Sequence, residues 1–256
     1  MVFFSTFLYT LAKREGPNFR AAVVREVELG PRSSIPALRT AALLSNVEDV
    51  ATSVSGACLI GPARSMQAGL FLASGCDVWV TCDDDESVGD PSALANLVAA
   101  CRATRQLVSI PSLQRDAGQA RFTPDKPGYI NVRLVEDDKP ELMQGDGYTL
   151  ARVRRTGMGL CAMHFDLVDH LKALHPELEV IDDETGRSFP GLFYEMLRDK
   201  HWLGEDNSFC ERVRKAGHEM WALLDVESEH AGRRVRVELD AEGQLAMRVW
   251  DLKERT

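Results

Sequence analysis

The sequence predicts one α/β domain, with a mostly parallel central sheet flanked by helices and a C-terminal β-hairpin. Three observations carry this. Short runs rich in β-branched and aromatic residues alternate with amphipathic stretches through the first half, as in a right-handed wound sheet. The chain has 256 residues, 45% hydrophobic and 27% charged, the balance of a soluble globular protein able to bury a sizeable core. Its six cysteines, Cys58, Cys76, Cys82, Cys101, Cys161 and Cys210, are scattered with no Cys-x-x-Cys pair. That spacing speaks against a disulfide framework or a zinc site, and for reduced, buried thiols in a cytoplasmic protein.

The elements follow in order. "MVFFSTFLYTLAKREG" opens on an apolar run with no basic residue before it and no small-residue cleavage site after it. It is too short to span a bilayer, and residues 2–9 read as a buried first strand. "PNFRAAVVREVE" and "IPALRTAALLSNV" read as helices, each with a proline near its first turn. "ATSVSGACLI" reads as the second strand, and "GPARSMQAGLFLAS" as a helix with Met66, Leu70 and Ala73 on one face. "VWV" is the third strand, "DPSALANLVAACRAT" a helix capped by Asp90, and "QLVSI" the fourth strand. Residues 111–147, rich in Pro, Gly and Asp, read as a long loop holding one short strand, "YINVRL". "RRTGMGLCAMHFDLVDHL" then gives a Gly-x-Gly turn, a strand and a helix. "WLGEDNSFCERVRKAGHEMWALL" places Glu205 and Asp206 at the start of a helix that ends at Gly217, with a strand after it. "VESEHAG" sets His230 just beyond that strand. There are no internal repeats and no low-complexity segments.

The acidic run after the third strand carries the chemistry. Asp83, Asp84 and Asp85 are consecutive, and at about 5 Å and an effective dielectric near 20 each adjacent pair repels by roughly 3 kcal/mol before screening. An isolated acidic triplet reads as a solvated turn. Here it sits where a buried strand leaves an α/β sheet, the edge at which ligands bind. A hard cation turns that repulsion into coordination. An EF-hand does not fit: counted from Asp83, Gly89 falls at position seven where six is needed, and Leu94 stands where a Glu is required.

Taken singly, the Gly-x-Gly turn, the acidic helix start and the lone histidine each have a purely structural reading. Together, and in this order, they resemble the GT-A fold of nucleotide-sugar-dependent glycosyltransferases over most of the chain. The DxD motif of that family matches Asp83-Asp84-Asp85, the glycine loop Gly157-Met158-Gly159, the xED motif Gly204-Glu205-Asp206, and the C-terminal histidine His230. Upstream, "ARS" resembles the family's "aRN", with Ser65 in place of Asn. The resemblance implies a nucleotide-sugar-binding half over residues 1–110 and an acceptor and catalytic half over 148–256. It implies Mn²⁺ or Mg²⁺ held by Asp83, Asp85 and His230, with Asp85 and His230 as the direct ligands and Asp83 facing the ribose or a metal-bound water. Asp84, Gly157 and Gly159 belong to the donor side, where Arg64 reaches the diphosphate or the base. Asp206 matches the residue that deprotonates the acceptor hydroxyl in inverting members, and Glu205 shapes the acceptor site. The donor is then a UDP- or GDP-sugar. Two other classes share parts of the pattern. A nucleotidyltransferase normally carries a glycine-rich, basic loop near its N-terminus, which "FFSTFLYTLAKREG" lacks. A silent sugar-nucleotide-binding protein has lost a ligand or the base, and here neither is missing.

The net charge of −9 gives no global attraction to nucleic acid or anionic membrane. Against that background Arg152, Arg154 and Arg155 precede the glycine turn, and Arg233, Arg234 and Arg236 follow His230. They read as the wet faces of sheet-edge strands, as clamps on the donor diphosphate, or as phosphate contacts to a polyanionic acceptor. One example of such an acceptor is DNA with hydroxymethylated bases, which would be flipped towards Asp206. No aromatic interleaving marks a stacking groove. A saccharide, a lipid-linked or a protein acceptor is the other expectation.

Overall fold

Alternation of buried strands and amphipathic helices produces a three-layer arrangement in the computed structural model, which describes residues 1–7, 36–55, 59–113, 130–135, 140–182, 186–230 and 233–251. The expected helix "PNFRAAVVREVE" lies outside these residues. β1 (Val2–Phe7) sits between β2 (Val50–Ser55) and β3 (Val78–Asp83), parallel to both, with Phe7 beside Asp83. Along β3 the side chains alternate. Val78, Val80 and Cys82 join the core under α1 (Pro36–Leu44) and α3 (Pro91–Thr104). Trp79 points the other way, into the core under α2 (Ile60–Ser74), α4 (Phe165–Leu174) and α5 (Glu205–Lys215). This is the period of two that a strand covered on both faces must show. Asp90 caps α3, its Oδ1 accepting from the Ser92 backbone N–H at 2.8 Å.

The sheet is more mixed than β–α–β alternation predicts. Its path runs β2, β1, β3, β9 (Leu160–His164), β5 (Leu107–Ser109), β14 (Met220–Leu223), β8 (Tyr148–Arg155) and β6 (Arg133–Leu134), with β7 (Leu142–Gly145) also on β8. β9 is antiparallel to both β3 and β5 and separates them. The crossover through α3 leaves a gap one strand wide, which the chain fills on its way back from the glycine turn. The segment 111–147 holds two described strands, β6 and β7, where one was expected; β7 pairs with β8 in a hairpin.

A smaller sheet completes the acidic edge. The C-terminal hairpin of β16 (Arg233–Leu239) and β17 (Leu245–Asp251) continues through β15 (Glu227–His230) to β4 (Glu86–Val88), which directly follows the aspartates. His230 lies beyond β14, as expected, but as the last residue of a further strand, paired with Glu86. The segment "ESEH" is too polar to announce a strand, but it alternates. Ser228 and His230 are buried while Glu227 is exposed, and ladders on both sides hold it. The cysteines at 76, 82, 101, 161 and 210 are free and buried. No helix among the described residues is long and apolar enough to cross a membrane.

Candidate active site

Three parts of the chain meet on one guanidinium. Arg64, in the first half of α2, has a side chain only 1% exposed. Its Nη2 donates to Asp83 Oδ1 at 2.8 Å, and its Nη1 donates to Glu205 Oε1 at 3.1 Å and to Asp206 Oδ1. Asp83 at the end of β3 and the acidic pair at the start of α5 are thereby joined. Burial works against the Arg64 charge, but the carboxylates of Asp206, Asp83 and Glu205 raise its pKa and keep it protonated. Burial pushes Asp83 up to about 6 against the pull of Arg64, with the charges of Asp206 and Asp85 adding to the rise. Glu205 is raised by burial and by Asp206 beside it. Asp206 is the more open of the α5 pair, its side chain 31% exposed at the helix N-terminus.

Beside this cluster stands a second one. His230 Nε2 lies 3.3 Å from Asp85 Oδ2, and the Nδ1–H of the same ring donates to the Leu113 carbonyl. Burial disfavours the charged ring, yet the hydrogen bond to Asp85 and the carboxylates around it hold its pKa near 9. Glu86, buried at 4% exposure, accepts from Ser112 Oγ at 2.8 Å through Oε1, while its Oε2 is buried with no hydrogen-bond partner. Burial pushes the Glu86 carboxyl well above the usual carboxylate range. Asp84 is buried as well.

The glycine turn explains itself here. A Cβ on Gly159 would lie 1.9 Å from Glu86 Oε1, and one on Gly157 would lie 2.8 Å from Asn131 Nδ2. Asn131 in turn donates to Ser112 Oγ at 2.8 Å and accepts the Gly157 backbone N–H at 2.8 Å through its carbonyl. Both glycines are seats for polar side chains that brace the acidic edge. Neither Glu86 nor Asn131 stood out in the sequence. The signal for Glu86 was available, since it is the fourth acidic residue in an unbroken run.

Whether Asp85 and His230 suit a cation can be judged from the imidazole. A metal-ligating histidine gives its other ring N–H to a carbonyl or carboxylate, which fixes the tautomer and the aim of the free nitrogen. The bond from Nδ1 to Leu113 does this and leaves Nε2 facing Asp85. The pair fits a divalent cation. Among the described residues no three His, Cys, Asp or Glu side chains gather as a metal site. A cation held here would be completed by substrate oxygens, the usual habit of Mg²⁺ at phosphates.

An exposed aromatic that the sequence reading missed stands just before the acidic pair. After an antiparallel pair of β10 (Glu179–Ile181) and β11 (Ser188–Pro190), β12 (Met196–Arg198) and β13 (His201–Leu203) form a hairpin whose turn residues, Asp199 and Lys200, have φ of 51° and 68°. Leu197 and Trp202 face each other across it, exposed at 69% and 65%, directly before Gly204 and the acidic pair. Its signal was an aromatic in an otherwise polar stretch. The six arginines are dispersed. Arg152 pairs with Glu141 at 2.8 Å and Glu219 at 3.1 Å, and Arg236 pairs with Asp225 at 3.5 Å and Glu238 at 3.4 Å. Arg154 and Arg155 are exposed on β8. Arg233 stands across the ladder from His230. Arg234 and Arg236 both line a separate cavity of about 900 Å³ among the α3 start, the β7–β8 hairpin and β15, which none of Arg64, Asp83, Asp85, Asp206 or His230 lines.

No family model and no curated protein matches the chain. Among solved structures, the crystal structure of A197 from STIV is similar over 100% of this chain and 99% of its own, with 12% identity and a TM-score of 0.48. Apo UDP-glucose pyrophosphorylase is similar over 98% of this chain and 76% of its own, at 8% identity and a TM-score of 0.40. UDP-glucose pyrophosphorylase complexed with UDP-glucose gives 98%, 94%, 10% and 0.42 for the same measures. The chemistry of the site rests on its own geometry.

Proposed function

We propose that the protein is a divalent-metal-dependent glycosyltransferase that moves a sugar from a nucleotide-diphosphate sugar, of the UDP or GDP kind, to an acceptor hydroxyl. The observation that supports this best is the meeting of Asp83, Glu205 and Asp206 on Arg64. It brings a donor-side carboxylate and a candidate base within one side chain of each other. Asp85 and His230 would hold Mn²⁺ or Mg²⁺, which would supply Lewis-acid stabilisation of the charge growing on the departing diphosphate. If the reaction inverts the anomeric centre, Asp206 takes the proton of the acceptor hydroxyl as the hydroxyl oxygen attacks the anomeric carbon and the bond to the departing diphosphate breaks. Glu205 borders the acceptor, and Trp202 offers a flat apolar surface on which a sugar ring can rest.

The test is nucleotide release from a panel of UDP-, GDP- and other nucleotide sugars with Mn²⁺, with and without a saccharide acceptor mixture. Release or transfer should require metal, stop reversibly in EDTA, and be lost in Asp85→Ala and His230→Ala while both variants stay folded. Full activity in EDTA contradicts the metal assignment. Synthesis of a nucleotide sugar from a nucleoside triphosphate and a sugar 1-phosphate, without glycosyl transfer, makes the protein a nucleotidyltransferase instead.

A further inference from the structure

Arg64 is among the largest fully buried side chains of the described residues, and it is a full charge. Removing a guanidinium from water costs several kcal/mol unless its partners compensate. Such a group at the centre of a carboxylate cluster has two possible uses. It binds the donor's diphosphate, or it organises the protein's own carboxylates. The geometry separates them. Both Nη atoms are engaged by carboxylates from β3 and α5, and a diphosphate reaching the 1% exposed side chain would have to displace Asp83 or Glu205 and Asp206 first. That exchange replaces one anion by another and opens a packed interior.

We infer that Arg64 is a positioning residue, which sets the base Asp206 against the donor-side Asp83 and does not itself bind donor; this rests on the glycosyl-transfer reading. The guanidinium is a rigid planar fork, so its two nitrogens fix the spacing of the carboxylates they hold. An ammonium at the same place is a point charge that neutralises the cluster without fixing that spacing. Misplacing a catalytic group by about 1 Å can lower turnover roughly 10²-fold. Charge and spacing thus make separate contributions, and substitutions divide them.

The experiment compares wild type, Arg64→Lys and Arg64→Gln. Donor affinity is read by calorimetry with the nucleotide sugar and Mn²⁺, and turnover is read at saturating donor and acceptor. Arg64→Lys should bind donor within about threefold of wild type and lose about 10²-fold in kcat. A loss confined to donor affinity, with kcat at saturation intact, would make Arg64 a donor ligand and overturn the inference. So would a variant with both values unchanged. Thermal unfolding supplies a readout independent of activity. Arg64→Gln should lower Tm, and adding Asp83→Asn and Asp206→Asn should recover at least half of the loss, because the carboxylates left without their counter-charge are removed. No recovery overturns the inference. A wild type without transferase activity overturns the proposed reaction, while the unfolding series still decides whether Arg64 organises the cluster.

Discussion

Substituting alanine at Gly159 probes the brace under the acidic edge. The new Cβ would lie 1.9 Å from Glu86 Oε1, 2.3 Å from its carboxyl carbon and 2.6 Å from Oε2. Ordinary van der Waals separation requires the carboxyl to retreat by about 1.5 Å. Glu86 is 4% exposed and bound by Ser112 at 2.8 Å, so the retreat runs into packed atoms and breaks a buried hydrogen bond. Overpacking of this kind costs about 1–3 kcal/mol, and a buried polar group left unpaired about 1–3 kcal/mol more. The stiffer unfolded chain of the alanine variant returns roughly 0.4–1 kcal/mol. The expected net loss is about 1–5 kcal/mol, or roughly 2–20 °C in Tm for a chain of this length. Urea unfolding measures it, with Gly89→Ala as the control, since a Cβ there meets nothing within 4 Å. The cost should largely disappear in a Glu86→Ala background, because the clash is with that side chain. A Gly159→Ala protein within about 0.5 kcal/mol of wild type, or a cost that persists without Glu86, refutes the reasoning.

Two further outcomes are expected. Trp202→Ala should leave stability within about 0.5 kcal/mol, since the ring is exposed, and raise the acceptor KM several-fold with donor affinity unchanged; an unchanged KM removes Trp202 from the acceptor surface. Asp77 gives a pH dependence: burial opposes its ionisation, but the Arg102 hydrogen bonds and charge hold it down at about 2, below its ordinary 3.8. A depressed carboxylate stabilises the fold above its unfolded pKa and loses that contribution as pH falls from about 4 to 2. Acid unfolding of Arg102→Ala should therefore show a shallower loss of stability across that window, and an unchanged slope would contradict the pairing.

What the sequence shows, and what it conceals, follows from the range of the interactions involved. The strand ending in Asp83, the Asp90 cap and the helix opening at Glu205 are local, written in β-branched content, capping chemistry and helical period. The position of β9 between β3 and β5 is a pairing between distant segments, and no periodicity within either segment encodes it. β4 and β15 escaped for another reason. Their residues, "ESV" and "ESEH", are polar, and they are strands because neighbouring ladders satisfy them. The acidic motifs could be found singly, but their convergence on Arg64 depends on α2 and α5 meeting over the sheet edge. Glu86 shows the opposite failure. It lay inside the acidic run, and only the space above Gly159 reveals why it is there.

The central claim is that Asp206 is the base, on a site that binds donor independently of it. The direct test is Asp206→Asn, which keeps the shape and hydrogen bonding and removes proton acceptance. Turnover at saturating donor, acceptor and Mn²⁺ should fall by about 10²–10⁴-fold, while calorimetry returns the wild-type donor affinity. Turnover that survives, or donor binding that vanishes along with it, would contradict the assignment.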